Sequence, residues 1–312
     1  MGDNAGVRVT VNGVRLYFDV EGCGLAVRDG DMAAKPTLVL LHGGPGADHS
    51  LFKPEFSAMA GDAQVVYLDQ RGSGRSDHGD PVTWTWDQWA DDVAGFCRVL
   101  GIEMPVLVGT SGGGRVAVAC AVRHPDLACG LVLDSTLFGP GFLDDSLEVF
   151  GRRGGPQARE AAARFIGGDT SPDAAAAWVK YALPLYGSAS DGDIAARAAR
   201  VRVNPEVLRR FRRGECGPLE VTADDIGAVA CPVLILAGED DPAAPLAAAR
   251  RALSSARHQA LRFYVFAGVG HGVVRQASTQ AFALLRDFLR EVPANPGADA
   301  RTAVHPGAPE GG

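Results

Sequence analysis

The sequence predicts an α/β protein: a mostly parallel central sheet with helices on both faces, interrupted once by a helical insertion. Three observations predict it. Short, continuously apolar runs recur along the chain, as strands buried on both faces require. Segments with helical spacing follow most of them. From about Gly139 to Asp225 that rhythm stops, leaving Ala-rich and Arg-rich stretches of helical character. At 312 residues the chain accommodates two domains, or one large domain carrying such an insertion.

The elements follow in order. Val7 to Val11 and Val14 to Val20 alternate around Asn12-Gly13, a two-residue hairpin signal. Thr37 to Leu41 and Gln64 to Leu68 read as buried strands separated by a loop rich in Gly and Pro. Trp84 to Leu100 has helical spacing, with acids near its start and Gly101 to stop it. Pro105 to Val108 is a third strand, Gly112 to Arg123 a helix ended by His124-Pro125, and Cys129 to Leu133 a fourth strand. Within the interruption, Glu160 to Phe165, Ala174 to Tyr181 and Ile194 to Arg213 are helical in character. Strands return at Pro232 to Ala237 and Leu261 to Phe266, followed by helices at Pro245 to Leu253 and Arg275 to Glu291. From about Pro293 the chain is rich in Pro, Gly and Ala without periodicity, and the expectation for 293–312 is a disordered tail.

Composition excludes several classes. Hydrophobic residues make up 46% and charged residues 21%, the balance of a globular protein with a full core. A net charge of −7 argues against a broad nucleic-acid surface. The arginines at 209, 210, 212 and 213 read as a solvated helix face. No apolar run reaches the roughly 18 residues of a membrane span. The first residues lack a signal-peptide pattern, and Gly6 breaks the myristoylation pattern that Gly2 would open. The six cysteines show no metal-ligand spacing and sit mostly in apolar segments, as small hydrophobes do. The expectation is a reduced, cytoplasmic protein without metal or cofactor, acting on a small molecule or short peptide.

The chemistry concentrates in four loops. Gly109-Thr110-Ser111-Gly112-Gly113 has the form G-x-S-x-G, follows a strand and opens a helix, which is the context of a nucleophile elbow. A serine hydroxyl needs a base. Of seven histidines, His271 lies in a Gly-rich loop between the last strand and the last helix, on the sheet edge that carries the elbow. The imidazolium needs an orienting carboxylate. Glu239, Asp240 and Asp241 follow one strand, and Asp134 ends another; all four are candidates. The oxyanion needs two donors. Gly112 N–H, next to the nucleophile, is one, and Gly44 in His42-Gly43-Gly44-Pro45-Gly46 is the second.

His42-Gly43-Gly44-Pro45-Gly46, then Asp69-Gln70-Arg71-Gly72-Ser73-Gly74-Arg75-Ser76, then the serine elbow, resemble the proline iminopeptidase branch of the α/β-hydrolases. The resemblance covers roughly Val7 to Asp134 and Ile226 to Leu289 and is weak across the insertion. It implies an α/β-hydrolase core over 1–138 and 226–292, with 139–225 as a helical cap after the sixth strand of the fold. It implies the catalytic acid as Asp241, through the spacing Gly238-x-x-Asp241-x-x-x-Pro245. It implies structural roles for Asp69 and Arg71, and cleavage of an N-terminal aminoacyl amide by Ser111, His271 and Asp241, with the free amine held by acidic side chains. Glu215 lies where the cap's amine-binding acid is expected, with Glu220 the second choice. The sequence departs from the family at Gly112, often a bulky aromatic residue there, and at Pro242, where an amine-binding glutamate can stand. The competing readings are an esterase, lactonase or thioesterase, or a hydrolase of amides of apolar secondary metabolites. A dehalogenase or epoxide hydrolase would carry Asp in place of Ser111. A binding protein that merely kept the fold is disfavoured by the complete Ser, acid and His set.

Overall fold

Eight strands form one twisted sheet in the order β1-β2-β6-β5-β7-β8-β9-β10. They are β1 (Arg8–Val11), β2 (Val14–Glu21), β5 (Thr37–Leu41), β6 (Gln64–Leu68), β7 (Val106–Thr110), β8 (Gly130–Asp134), β9 (Val233–Gly238) and β10 (Leu261–Phe266). The computed structural model describes residues 7–28, 30–169, 171–187, 196 and 199–292. The expected tail at 293–312 and part of the expected helical stretch from Ile194 lie outside the described residues. β1 and β2 pair antiparallel, as does β2 with β6; every other pairing in the sheet is parallel.

Side chains alternate across this sheet with period two. Val39 and Leu41 point into one apolar cluster with Trp89, Val93 and Phe96 of α1 (Trp86–Leu100) and with Val116 of α2 (Gly112–Arg123). Leu38 and Leu40 point into the other, with Phe56, Phe282 and Phe288. Both faces are therefore covered, which explains why the central strands are apolar throughout. α1 is capped by Thr85, whose hydroxyl accepts from Gln88 N–H, and it stops at Gly101 in the left-handed region.

Several elements differ from the sequence expectation. Leu25–Arg28 (β3) and Asp31–Ala34 (β4) form a separate two-stranded hairpin that the sequence did not announce. Its Leu25, Val27 and Met32 are exposed, so no core pattern marks it. The single helix expected from Arg275 is two helices, Val273–Gln276 and Ser278–Glu291, broken at Ala277 (φ −129°, ψ 44°). The helix following β9 runs from Leu246 to Ser255, two residues beyond expectation.

Between β8 and β9 the chain leaves the sheet. Gly139 N–H donates to Val221 O and Val221 N–H to Leu137 O, so the two ends of the excursion are hydrogen-bonded together at its base. Here α3 (Phe142–Ile166) bends at Gly155 (φ 75°) before Pro156. α4 (Pro172–Ala177) follows, then a π-helical turn (Trp178–Ala182) and a 3-10 turn (Leu183–Tyr186), then α5 (Pro205–Arg212) and α6 (Ala223–Gly227). Phe150, Ala161, Ala162, Trp178 and Ala182 give this segment a small core of its own.

Candidate active site

β5, β7, β8, β9 and β10 run parallel, so the loops after them emerge at one edge of the sheet. Ser111 follows β7 with φ 55° and ψ −122°, a strained conformation for a residue with a side chain. Its N–H donates to Asp134 O, and its carbonyl accepts from Gly114 N–H. The glycines allow the close packing that the turn needs. A Cβ on Gly113 would lie 1.9 Å from Leu41 O, and one on Gly109 would lie 2.4 Å from Gly113 O. Ser111 thus stands between β7 and the first turn of α2, at a helix N-terminus that favours developing negative charge.

His271 Nδ1 lies 2.9 Å from Asp241 Oδ2 and 3.1 Å from Oδ1. The pair is buried, with Asp241 1% and His271 8% exposed. Asp241 Oδ1 also accepts from Ala243 and Ala244 N–H, so the carboxylate is held on both sides. This carboxylate can accept only, so the proton between the pair sits on Nδ1 and leaves Nε2 free to act as a base. Of the four candidate acids, Asp241 is the one paired to the imidazole. Glu239 is exposed. Asp240 engages through its backbone: its N–H donates to Val269 O and its carbonyl accepts from Arg153.

Asp134 has another task. Its Oδ1 accepts from Val273 N–H, and the neighbouring Ser135 Oγ accepts from Gly272 N–H. The end of β8 thereby grips the loop just after His271. Burial pushes the Asp134 carboxyl above the usual range, against the pull of the Val273 N–H. From the other side, Tyr186 O accepts from His271 N–H at 2.6 Å, and the Tyr186 ring lies 4.8 Å from the imidazole, centroid to centroid. Sequence reasoning missed Tyr186 and Ser135 in these roles. Ser135 carries a signal only in its place beside a strand end; Tyr186, in the interruption, carries none.

The His42 loop is pinned by its own histidine. His42 Nε2 accepts from Gln70 N–H, which puts the ring proton on Nδ1, where it meets Gly43 O at 3.0 Å. Burial pushes this imidazole below its usual value, so His42 is neutral and structural. Behind it, Asp69 accepts from His49 and Arg75 N–H, and Arg71 makes a bidentate, buried pair with Asp92. Those contacts agree with structural roles for Asp69 and Arg71. Asp48, His49 and Asp69 could together offer three ligand atoms to a cation, but His49 Nδ1 already meets Asp69 Oδ1, and Asp48 accepts from Ser50 Oγ and Arg75 Nη1.

Gly44, Ser111 and Gly112 line a cavity of about 540 Å³. The excursion between β8 and β9 supplies its other walls, including Phe142, Phe165, Trp178, Tyr186 and Phe211. The lining is mostly apolar and aromatic. Among the described residues, Glu220 is its carboxylate and Arg212 its cation. Two expectations are corrected here. Glu215 does not reach the cavity; it is exposed and ion-paired with Arg210 and Arg213. The arginine cluster is not wholly a solvated face, because Arg212 turns inward.

The fold and these loops define a class. The α/β-hydrolase fold family matches residues 36–274, and the chain belongs to that family. Its relatives agree with the motif resemblance over most of the chain. A proline iminopeptidase of Lactobacillus helveticus is 27% identical over 287 residues, covering 83% of this chain and 92% of the relative. A putative carbamate hydrolase of Caulobacter is 27% identical over 296 residues, covering 90% and 97%. Among solved structures, a proline iminopeptidase of Mycobacterium smegmatis superposes with a TM-score of 0.71 at 23% identity, over 92% of this chain and 98% of that one. The chain is a hydrolase by fold and family, and the bond cleaved differs among its relatives. No helix among the described residues is long and apolar enough to cross a membrane.

Proposed function

We propose that the protein is a serine hydrolase of the proline iminopeptidase type, cleaving an N-terminal aminoacyl amide through an acyl-enzyme. The observation that carries this reading is the buried His271–Asp241 pair, set on the sheet edge from which Ser111 projects. His271 Nε2 takes the Ser111 proton as Oγ attacks the carbonyl carbon, and Asp241 stabilises the imidazolium. Gly112 and Gly44 N–H groups receive the oxyanion. The imidazolium passes its proton to the leaving amine, and water then repeats the cycle to release the acid. Residues 139–225 act as the lid over this chemistry. Glu220, in place of Glu215, is the carboxylate offered to a free α-amine.

The apolar lining favours a second reading, in which the same triad cleaves esters or amides of apolar products. A matched assay separates the two. kcat/KM is compared for prolyl and alanyl arylamides, free and N-acetylated, and for a short aryl ester, with Ser111→Ala as control. The aminopeptidase reading expects free-amine amides to lead and acetylation to abolish turnover, because the cavity carboxylate would lose its cation. Turnover of the ester alone, or indifference to acetylation, rejects that reading and selects the second.

A further inference from the structure

Four arginines crowd the end of α5, and they do not behave alike. Arg209 pairs with Glu206, and Arg210 and Arg213 share Glu215. Arg212 has no carboxylate partner among the described residues. Its guanidinium carbon lies over the Phe165 ring, 3.3 Å from the centroid, and its Nε is buried without a hydrogen-bond partner. Burial works against its charge and lowers its pKa. Arg212 and Phe165 both line the cavity that Ser111 opens into, as does Tyr186, whose ring rests on His271.

A guanidinium is protonated at any physiological pH, so a half-buried one without a counter-ion is incompletely satisfied. A cation held against an aromatic face is attracted by the ring and still has N–H groups to donate. Glu220 lines the same cavity but makes no ion pair with it. The cavity therefore presents a guanidinium with an unpaired Nε in mostly apolar walls, a group that can receive a carboxylate through two parallel hydrogen bonds. We propose that Arg212 is an anion-recognition site for the substrate, and that the substrate carries a carboxylate on its acyl or leaving portion. This rests on the preceding reading only in taking the Ser111 cavity as the substrate cavity.

The consequence is selectivity. A neutral ligand of the same shape would leave the guanidinium facing apolar surface, whereas a carboxylate would satisfy it. The test is a binding comparison that needs no turnover. 4-Phenylbutyrate and its neutral isostere 4-phenylbutyramide are titrated calorimetrically into the wild-type chain, Arg212→Gln and Arg212→Lys. The expected result is carboxylate binding tighter than amide by roughly tenfold to a hundredfold in the wild type. The ratio should fall to about one in Arg212→Gln and stay partly raised in Arg212→Lys, which keeps the charge but not the planar fork. Equal binding of the two compounds by the wild type, binding of neither at millimolar concentration, or an unchanged ratio in a folded Arg212→Gln overturns the proposal. Covalent labelling of Ser111 reports separately on the hydrolase reading, so either can fail while the other stands.

Discussion

Ser111 sits in a backbone conformation that costs on the order of 1–3 kcal/mol, and its surroundings leave it no other. β7 ends against β8, Ser111 N–H is tied to Asp134 O, and the helix that follows is pressed onto Leu41 and His42. Gly113→Ala is therefore expected to destabilise the fold by about 3 kcal/mol or more, since the new methyl would lie 1.9 Å from a strand carbonyl. Urea denaturation reads this directly, and a change under 1 kcal/mol would show that the turn relaxes. Asp241→Asn keeps the volume but can present an amide to His271 Nδ1 and reverse the tautomer. The expected loss in kcat is about 10⁴-fold with little change in KM; a loss under tenfold would mean that Asp241 does not orient the base.

At the scale of elements, the loops that build the site are held by contacts distant from it. The loop after β6 is anchored by the Arg71–Asp92 pair, in which Arg71 also donates to Asn12 O. Arg71→Met would leave Asp92 buried and charged, at an expected cost of about 3–5 kcal/mol. Thermal unfolding checks it, and a shift of less than 2 °C would place the pair among dispensable contacts. Elements of this kind were largely legible in the sequence. β5, β6, β10 and α2 lie at their expected bounds because continuous apolar runs and a glycine-flanked helix start leave little choice. The β3–β4 hairpin was not legible, because exposed strands far from the core carry no burial pattern. The first half of α3 was hidden by Gly154-Gly155-Pro156, which reads as a stop but is a bend between two helical halves. Within the site, strand-loop-helix context marks Ser111 and His271, whereas it left four candidate acids, and only the motif resemblance pointed to Asp241 among them. The cavity walls were not, because their residues come together only through the packing of α3, the turns through Tyr186 and the loop around Glu220. Glu215 and Glu220 lie only five residues apart, and chain direction after α5 alone decides which faces inward.

At the scale of the whole molecule, two covered sheet faces support one open edge, and stability and chemistry meet in the buried polar groups along that edge. His42 is one of them. Its folded pKa is pushed below the ordinary value of 6.5, so between the two values the unfolded chain binds a proton that the folded chain refuses. The stability it contributes is fully present above about pH 6.5 and is lost as pH falls through the folded value. The melting temperature should accordingly decline on acidification from pH 7 toward 5, and His42→Gln should flatten that decline; an equally steep curve in the variant would assign the acid sensitivity elsewhere. On the same edge stands Ser111, proposed as a nucleophile served by His271 and Asp241. The most direct measurement is intact-mass and peptide-mass analysis after exposure to a fluorophosphonate. A single adduct on the peptide containing Ser111, absent in Ser111→Ala and much slower to form in Asp241→Asn, is the predicted result. No adduct, or an adduct on another residue, would contradict it.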